Sequence, residues 1–238
     1  MPAWQAATTL ANAVASVQAQ CFVDWELIIV DDASTDATAQ TIRTLAECDP
    51  RIRLIQLPEN RGAARARNCA IRLANGRYIA FLDADDAWLP EKLHEQIGFM
   101  QKNNVALSYT GFWRETNKAR KTVSVPPQVG YAELLHGNVI GCLTAVYDSH
   151  QLGKVEMPDI RLRQDYALWL KILRTIPAAH GLPQPLAVHR RRAGSLSSGA
   201  LRGLFATWTL YRDIEGLGRL KSVVCLTSHI INRLQSRR

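Results

Sequence analysis

Tyr78-Ile79-Ala80-Phe81-Leu82-Asp83-Ala84-Asp85-Asp86 is the stretch that decides how this chain is read, because an apolar run of strand character ends in a cluster of acids. In an extended chain residues i and i+2 point to the same side. Asp83 and Asp85 therefore crowd two negative charges together where a sheet ends. At ~4 Å and an effective dielectric of about 20 the repulsion is ~4 kcal/mol, and packing gives no return for it. A divalent cation would remove it. The pattern suggests a hard-cation site of carboxylate oxygens, Mg or Mn, with Asp83 and Asp85 as ligands and open positions for a phosphorylated substrate.

Strands and helices alternate on either side of this run. Leu10, Val14 and Val17 lie at helical spacing, and residues 25–30 form a short, continuously apolar segment that suits a buried parallel strand. The Ser34-Thr35-Asp36 cluster opens a helix to about Cys48, residues 52–57 are a strand closed by Pro58, and residues 62–75 are a helix stopped at Gly76. Residues 77–82 form the strand that delivers the acids, and Pro90 starts another helix. The alternation predicts an α/β fold with a doubly wound, mostly parallel sheet flanked by helices. Beyond Val105 the pattern is mixed. Residues 105–112 and 139–147 read as strands, with a basic polar loop over residues 114–121 and Pro126-Pro127 between them, and residues 164–176 read as a helix. Leu201, Leu204, Phe205 and Trp208 then repeat at i, i+3, i+4 and i+7. The expected organisation is one catalytic domain over residues 1–200 and an amphipathic, basic helical tail over residues 201–238.

A chain of 238 residues, 47% of them hydrophobic, can bury one large core plus a short appendage. Its formal charge of +8 is unevenly spread: residues 1–150 hold 14 Lys/Arg against 16 Asp/Glu, whereas residues 151–238 hold 15 against 5. The basic last third reads either as a solvated surface or as attraction to anionic lipid or a polyphosphate. Nucleic acid is disfavoured, since the cations are not interleaved with stacking aromatics. Five scattered cysteines without a CxxC pair argue against a disulfide framework and a zinc site, and point to a reduced, cytoplasmic compartment. No secretory leader pattern opens the sequence, and the late apolar stretch at residues 223–231 is broken by Thr227, Ser228 and His229.

In open parallel sheets ligands bind beyond the carboxyl ends of the strands. A second acidic group, Asp31-Asp32, falls there after residues 26–30. Asp36 is explained by turn and helix-cap chemistry, but the doublet is not, which makes Asp32 a candidate ligand-binding residue. The ordered series Met1-Pro2-Ala3-Trp4, Trp25-Glu26-Leu27-Ile28-Ile29-Val30-Asp31-Asp32-Ala33-Ser34-Thr35-Asp36, Asn60-Arg61-Gly62, Ala66-Arg67-Asn68, Ala80-Phe81-Leu82-Asp83-Ala84-Asp85-Asp86 and Gln164-Asp165-Tyr166-Ala167-Leu168-Trp169-Leu170 resembles glycosyltransferase family 2, the inverting nucleotide-sugar transferases with the GT-A fold. The resemblance runs over nearly the whole chain. A lone DxD motif is weak; this series is specific.

The resemblance implies roles. Pro2, Ala3 and Trp4 would border the base, with Trp4 where Tyr is usual and Gln5 where Asn is usual. Asp32 would accept from the uracil imide of a UDP-sugar, Asp83 would hold the ribose or share the metal, and Asp85 would bind it. Arg67 would lie near the nucleotide, with Arg65 able to exchange roles with it, and Asp165 would be the catalytic base, its usual Glu neighbour replaced by Gln164. His189-Arg190-Arg191-Arg192 and Gly194-Ser195-Leu196-Ser197 match a late strand and loop, where the arginines could clamp diphosphate or be solvated. The family's first apolar strand is expected to be missing, which would leave an exposed sheet edge. The implied activity is transfer of a sugar from a nucleotide diphosphate to a hydroxyl of a surface polysaccharide or lipid-linked glycan. The implied location is the cytoplasm, with peripheral membrane contact through the basic tail. Two rivals remain: a non-catalytic nucleotide-binding or scaffold protein, and a prenyl diphosphate enzyme, the latter requiring an all-helical core.

Overall fold

The computed structural model describes residues 1–116, 119–190 and 200–235. Its first half runs β1 (Pro2–Ala3), α1 (Leu10–Gln18), β2 (Leu27–Asp31), α2 (Thr38–Cys48), β3 (Ile52–Gln56) and α3 (Ala63–Leu73). These strands form a parallel sheet in the order β1-β2-β3. Every residue of β2 is buried, and the reason is its two covered faces. Leu27 and Ile29 pack with Leu10 of α1 and Ile42 of α2, while Ile28 and Val30 pack with Ala66 of α3. An alternating strand would have exposed one face; the unbroken apolar run buries both.

The second half runs β4 (Tyr78–Ala80), β5 (Ala87–Trp88), α4 (Lys92–Asn103), β6 (Leu107–Glu115), β7 (Arg120–Val123), β8 (Gln128–Val129), α5 (Tyr131–Leu135), β9 (Val146–Asp148), α6 (Ser149–Leu152), α7 (Gln164–Leu173) and β10 (Ala179–Arg190). It ends in α8 (Ala200–Thr209), a π-helical turn over Leu210–Ile214, and α9 (Arg219–Gln235). The strands lie in the order β4-β9-β6-β10-β5, with β7 beside β6 and β8 beside β10. The α/β class holds, yet in this sheet only β6 and β10 are parallel. Apolar runs report that a strand is buried and not which way its neighbour travels.

Several expectations are corrected. Two residues of the opening strand are present: Pro2 and Ala3 pair with Val30 and Asp31, and the amides of Val30 and Asp32 donate to the carbonyls of Met1 and Ala3. Residues 139–147 are not one strand. Cys142–Thr144 is a 3-10 turn, closed by the Thr144 hydroxyl on the Gly141 carbonyl, and extended pairing begins only at Val146. The basic loop at 114–121 contains a hairpin, with β7 pairing β6 and Arg120 lying 4.5 Å over the Trp113 ring. Of the apolar stripe after Leu201, Leu201 and Phe205 are exposed while Leu204 and Trp208 are half-buried, and Thr207, Leu210 and Tyr211 are buried. Leu210, Tyr211, Leu217 and Cys225 share the main core with Tyr166 and Trp169 of α7. The mixed α/β core removes the all-helical rival. Among the described residues no helix is long and apolar enough to cross a membrane.

One buried cation is unmatched by any acid. Lys92 is fully buried; its ammonium donates to Gln96 Oε1 at 2.6 Å and lies 4.6 Å over the Trp88 ring. Gln96 in turn donates to Ser108 Oγ and the Thr144 carbonyl, both at 2.9 Å. Burial pushes the Lys92 ammonium down to about 7 from 10.5. Between those values the unfolded chain binds the extra proton, so stability rises with pH there and the penalty is fully present below about 7. Urea midpoints at neutral and alkaline pH should show the wild type gaining on Lys92→Met as pH rises; parallel profiles would contradict this.

Candidate active site

The site begins where β1 and β2 end. Gln5 adopts a left-handed conformation with φ 48°. Its side-chain carbonyl accepts from the Thr35 and Asp36 amides, each at 3.1 Å, and its side-chain amide donates to Thr35 Oγ1 at 2.9 Å. The residue that stands for the usual Asn thus ties the opening segment to the loop after β2. Trp4, held between this anchor and β1, is 56% exposed, an aromatic face left in solvent beside a polar loop. Asp32 is buried, and its carboxylate accepts from the Arg61 amide at 2.8 Å and the Gly62 amide at 2.7 Å. Gly62, at φ 89°, opens α3 in a conformation that L side chains rarely adopt. Asn60-Arg61-Gly62 is therefore the cradle of Asp32: one backbone donor reaches each oxygen, and each oxygen keeps lone-pair capacity for a ligand. Asp36 accepts from the Thr38 and Ala7 amides, a structural role.

The acidic turn follows β4. It is closed by the Asp86 amide on the Asp83 carbonyl at 3.1 Å, and β5 then pairs with Ala187 and Val188 of β10. Asp86 faces inward and accepts from the Arg190 amide at 2.9 Å; burial first, and then the Asp83 charge, push its carboxyl up to about 8. Asp83 and Asp85 stay partly exposed. Asp83 is ion-paired with Arg67, which α3 buries almost completely. Arg67 Nε has no hydrogen-bond partner, so a buried donor is available at the acids. Arg65 is an outward-facing residue paired with Asp159 at 2.5 Å, so it does not exchange roles with Arg67. The carboxylates of Asp83 and Asp85 are hard oxygen donors of the kind Mg or Mn takes, and among the described residues no group of three His, Cys, Asp or Glu forms a closed cage. One or two carboxylates completed by substrate phosphates is the ordinary arrangement for such a cation.

Asp165 lies in the first turn of α7, where the dipole favours an acid. Burial raises its carboxyl, opposed chiefly by the charge of Arg67, and the Asp83 charge adds to the rise. Asp165 and the Arg67–Asp83 pair thus share one electrostatic environment, although they come from α7, α3 and the turn after β4. With Gln164 beside it instead of an acid, burial raises the carboxyl all the same. Two fixings set this helix in place. Arg163, left-handed at φ 66°, donates from Nε to Thr207 Oγ1 of α8 at 3.1 Å. Asn68, next to Arg67, donates to the Met157 carbonyl and accepts from its amide, both at 2.8 Å.

Sequence reasoning missed Cys142, whose thiol burial pushes far up and which shares the field of Arg67, Asp83 and Asp165; no motif flagged it. The positioning roles of Asn68 and Arg163 were also missed, though Asn68 stood inside a quoted motif. His189 lies edge-on to Phe112 at 6.2 Å, and Arg190 pairs with Glu115 at 3.5 Å. Arg191, Arg192 and Gly194-Ser195-Leu196-Ser197 lie outside the described residues.

The sequence model of Glycosyl transferase family 2 matches residues 1–141. TuaG of Bacillus subtilis, assigned as a teichuronic acid biosynthesis glycosyltransferase, is 38% identical over 99% of this chain and 95% of its own length. The UDP-Glc:alpha-D-GlcNAc-diphosphoundecaprenol beta-1,3-glucosyltransferase WfgD of Escherichia coli is 36% identical over 90% of this chain and 84% of its own. Among solved structures, S. aureus TarS 1-349 in complex with UDP-GlcNAc aligns with a TM-score of 0.74 at 18% identity, over 96% of this chain and 70% of that one. The mannosyltransferase PcManGT from Pyrobaculum calidifontis, in complex with GDP-Man and Mn2+, aligns at 0.72 and 19% identity over 95% and 66%. At these identities the structural likeness carries the GT-A fold alone.

Asn68→Ala would strip the Met157 amide and carbonyl of their partners inside the protein. Each buried group left unsatisfied costs about 1–3 kcal/mol. Denaturant unfolding should show a loss of roughly 2–4 kcal/mol; a change within about 0.5 kcal/mol would mean the clamp is dispensable.

Proposed function

Because the chain belongs to glycosyltransferase family 2, we propose that it is a metal-dependent, inverting enzyme that transfers a sugar from a UDP-sugar to a hydroxyl of a lipid-linked or surface glycan. The observation that carries this reading is that Asp165, its carboxyl raised by burial, shares the field of the buried Arg67 and its partner Asp83, while a backbone-cradled Asp32 follows β2 and an exposed Trp4 follows β1. The names of the relatives support the substrate classes: WfgD uses UDP-Glc and a diphosphoundecaprenol-linked sugar, and TarS was solved with UDP-GlcNAc. The orphaned Nε of Arg67 supports an anionic ligand at the acids.

The residues divide the work by chemistry. Trp4 offers a stacking face for the base, with Pro2 and Ala3 beside it, and Asp32 accepts from the imide N–H of uracil with the lone pairs its cradle leaves open. Asp83 and Asp85 would hold Mn or Mg, which would supply positive charge against the departing diphosphate. Arg67 adds a fixed positive charge on the same side and orients Asp83, which also reaches the ribose. Asp165 takes the proton from the acceptor hydroxyl as that oxygen attacks the anomeric carbon; the bond from that carbon to the diphosphate oxygen breaks on the opposite face, and the configuration inverts. A carboxyl raised by burial is a stronger base once ionised. Its cost is an acid limb at higher pH than for an exposed aspartate.

Turnover of UDP-sugars with added Mn tests the reading. Asp165→Asn should lower kcat about 10²–10⁴-fold with UDP affinity kept, and Asp85→Ala should abolish the metal dependence of donor binding. Activity of the wild type should fall as pH falls through a pKa above the ordinary aspartate range. UDP binding with no turnover for any nucleotide sugar would instead favour a non-catalytic binding protein of the same fold.

A further inference from the structure

The last helix leaves a row of apolar side chains in solvent. Its buried positions are Ser222, Cys225 and His229, spaced i, i+3 and i+7: Ser222 Oγ donates to the Gly218 carbonyl, Cys225 packs in the main core and the His229 ring lies 5.9 Å from that of Tyr166. Its exposed positions are Leu220, Val223, Val224 and Ile231, which share the opposite face at helical spacing. Leu220 is 86% exposed. Helix α8 does the same: it turns Thr207 inward, while Leu201 and Phe205, one turn apart, are 74% and 73% exposed. The two helices pack against each other; Cys225 and Leu226 join the core, Leu204 and Trp208 are half-buried, and Leu201, Phe205, Leu220, Val223, Val224 and Ile231 face solvent. Single exposed apolar residues are ordinary, but two adjacent helices that both present them mark an interaction surface.

The charges choose the occupant. Residues 200–235 carry five Lys/Arg against Asp213 and Glu215, and Glu215 is spent on Arg174 at 2.7 Å. Arg202 is exposed on the same face as Leu201 and Phe205, and Arg219 and Lys221 are exposed on either side of Leu220. Apolar residues flanked by long cations that can extend to headgroups suit the interface of an anionic bilayer. A second copy of this face would bring like charges together.

We propose that the exposed face of α8 and α9 docks on an anionic membrane surface, with Leu201, Phe205, Leu220, Val223 and Val224 entering the interface and Arg202, Arg219 and Lys221 meeting lipid phosphates. The docked helices also touch α7, since α8 holds Arg163 two residues before Asp165 and Tyr211 bonds to Tyr166 at 3.1 Å. That its acceptor is lipid-linked rests on the proposed function; the docking itself does not.

The test is co-sedimentation of the full chain, without donor, with phosphatidylcholine vesicles that contain or lack phosphatidylglycerol. Binding should require phosphatidylglycerol. Replacing Arg202, Arg219 and Lys221 together by Gln should weaken it about 100-fold, since each cation near the surface contributes about a fivefold factor. Leu220→Asp with Val224→Asp should weaken it at least about tenfold, and Phe205→Ser with Val224→Ser is the milder pair if the aspartates lower the melting temperature. UDP binding by calorimetry should be unchanged in all of them. Vesicle binding that ignores phosphatidylglycerol or survives these substitutions would overturn the proposal. So would light scattering that finds a dimer which the apolar variants dissociate. A chain that binds vesicles but turns over no nucleotide sugar would fail the proposed function and leave the docking standing.

Discussion

The buried Arg67 guanidinium is the charge around which this molecule's acids are arranged. It is carried by the middle of α3, faces the turn after β4 and pairs with Asp83, while Asp165 at the start of α7 lies within its field. Removing one member of a buried ion pair typically costs about 3–5 kcal/mol, because the partner is left desolvated and unmatched. Asp86, buried and accepting from the Arg190 amide, is pushed up to about 8 by burial and by the neighbouring Asp83 charge. Asp83 and Asp85 lie nearer solvent.

Precision at the ends of β1 and β2 comes from local hydrogen bonds. Asp32 is aimed by the Arg61 and Gly62 amides, and the loop at 34–36 is held by the Gln5 side chain. Both fixings are short-range hydrogen bonds at strand ends, so the parallel sheet need only supply the frame. The surroundings of Asp165 are fixed differently. The segment that leads into α7 is tied to α3 by the Asn68 clamp on Met157, and α7 itself meets the last helices through Arg163–Thr207 and the Tyr166–Tyr211 pair. The last helices thus pack directly on the helix that carries Asp165.

Legibility followed locality. The β2 run, the acid turn and helices α1, α3, α4 and α7 could be read because burial periodicity and terminator residues are local signals. The hairpin at 120–123, the 3-10 turn at Cys142 and the antiparallel partners in the second sheet could not, since strand direction is set by partners distant in sequence. The pairing of Pro2 and Ala3 with β2 could not be read either, since two residues are too short a segment to leave a periodic trace. For the tail, the sequence displayed a genuine amphipathic stripe, but periodicity gives only the separation of faces and not which one the core takes.

By itself the sequence determined the α/β alternation, the acids at strand ends and the family, because each depends on residue type and spacing alone. Only the tertiary structure decided that Arg67 and not Arg65 turns inward, that Cys142 lies among the acids, and that α8 and α9 expose their apolar faces. Those outcomes depend on which side chains from distant segments compete for the same buried volume, and the chain order of residues does not encode that competition locally.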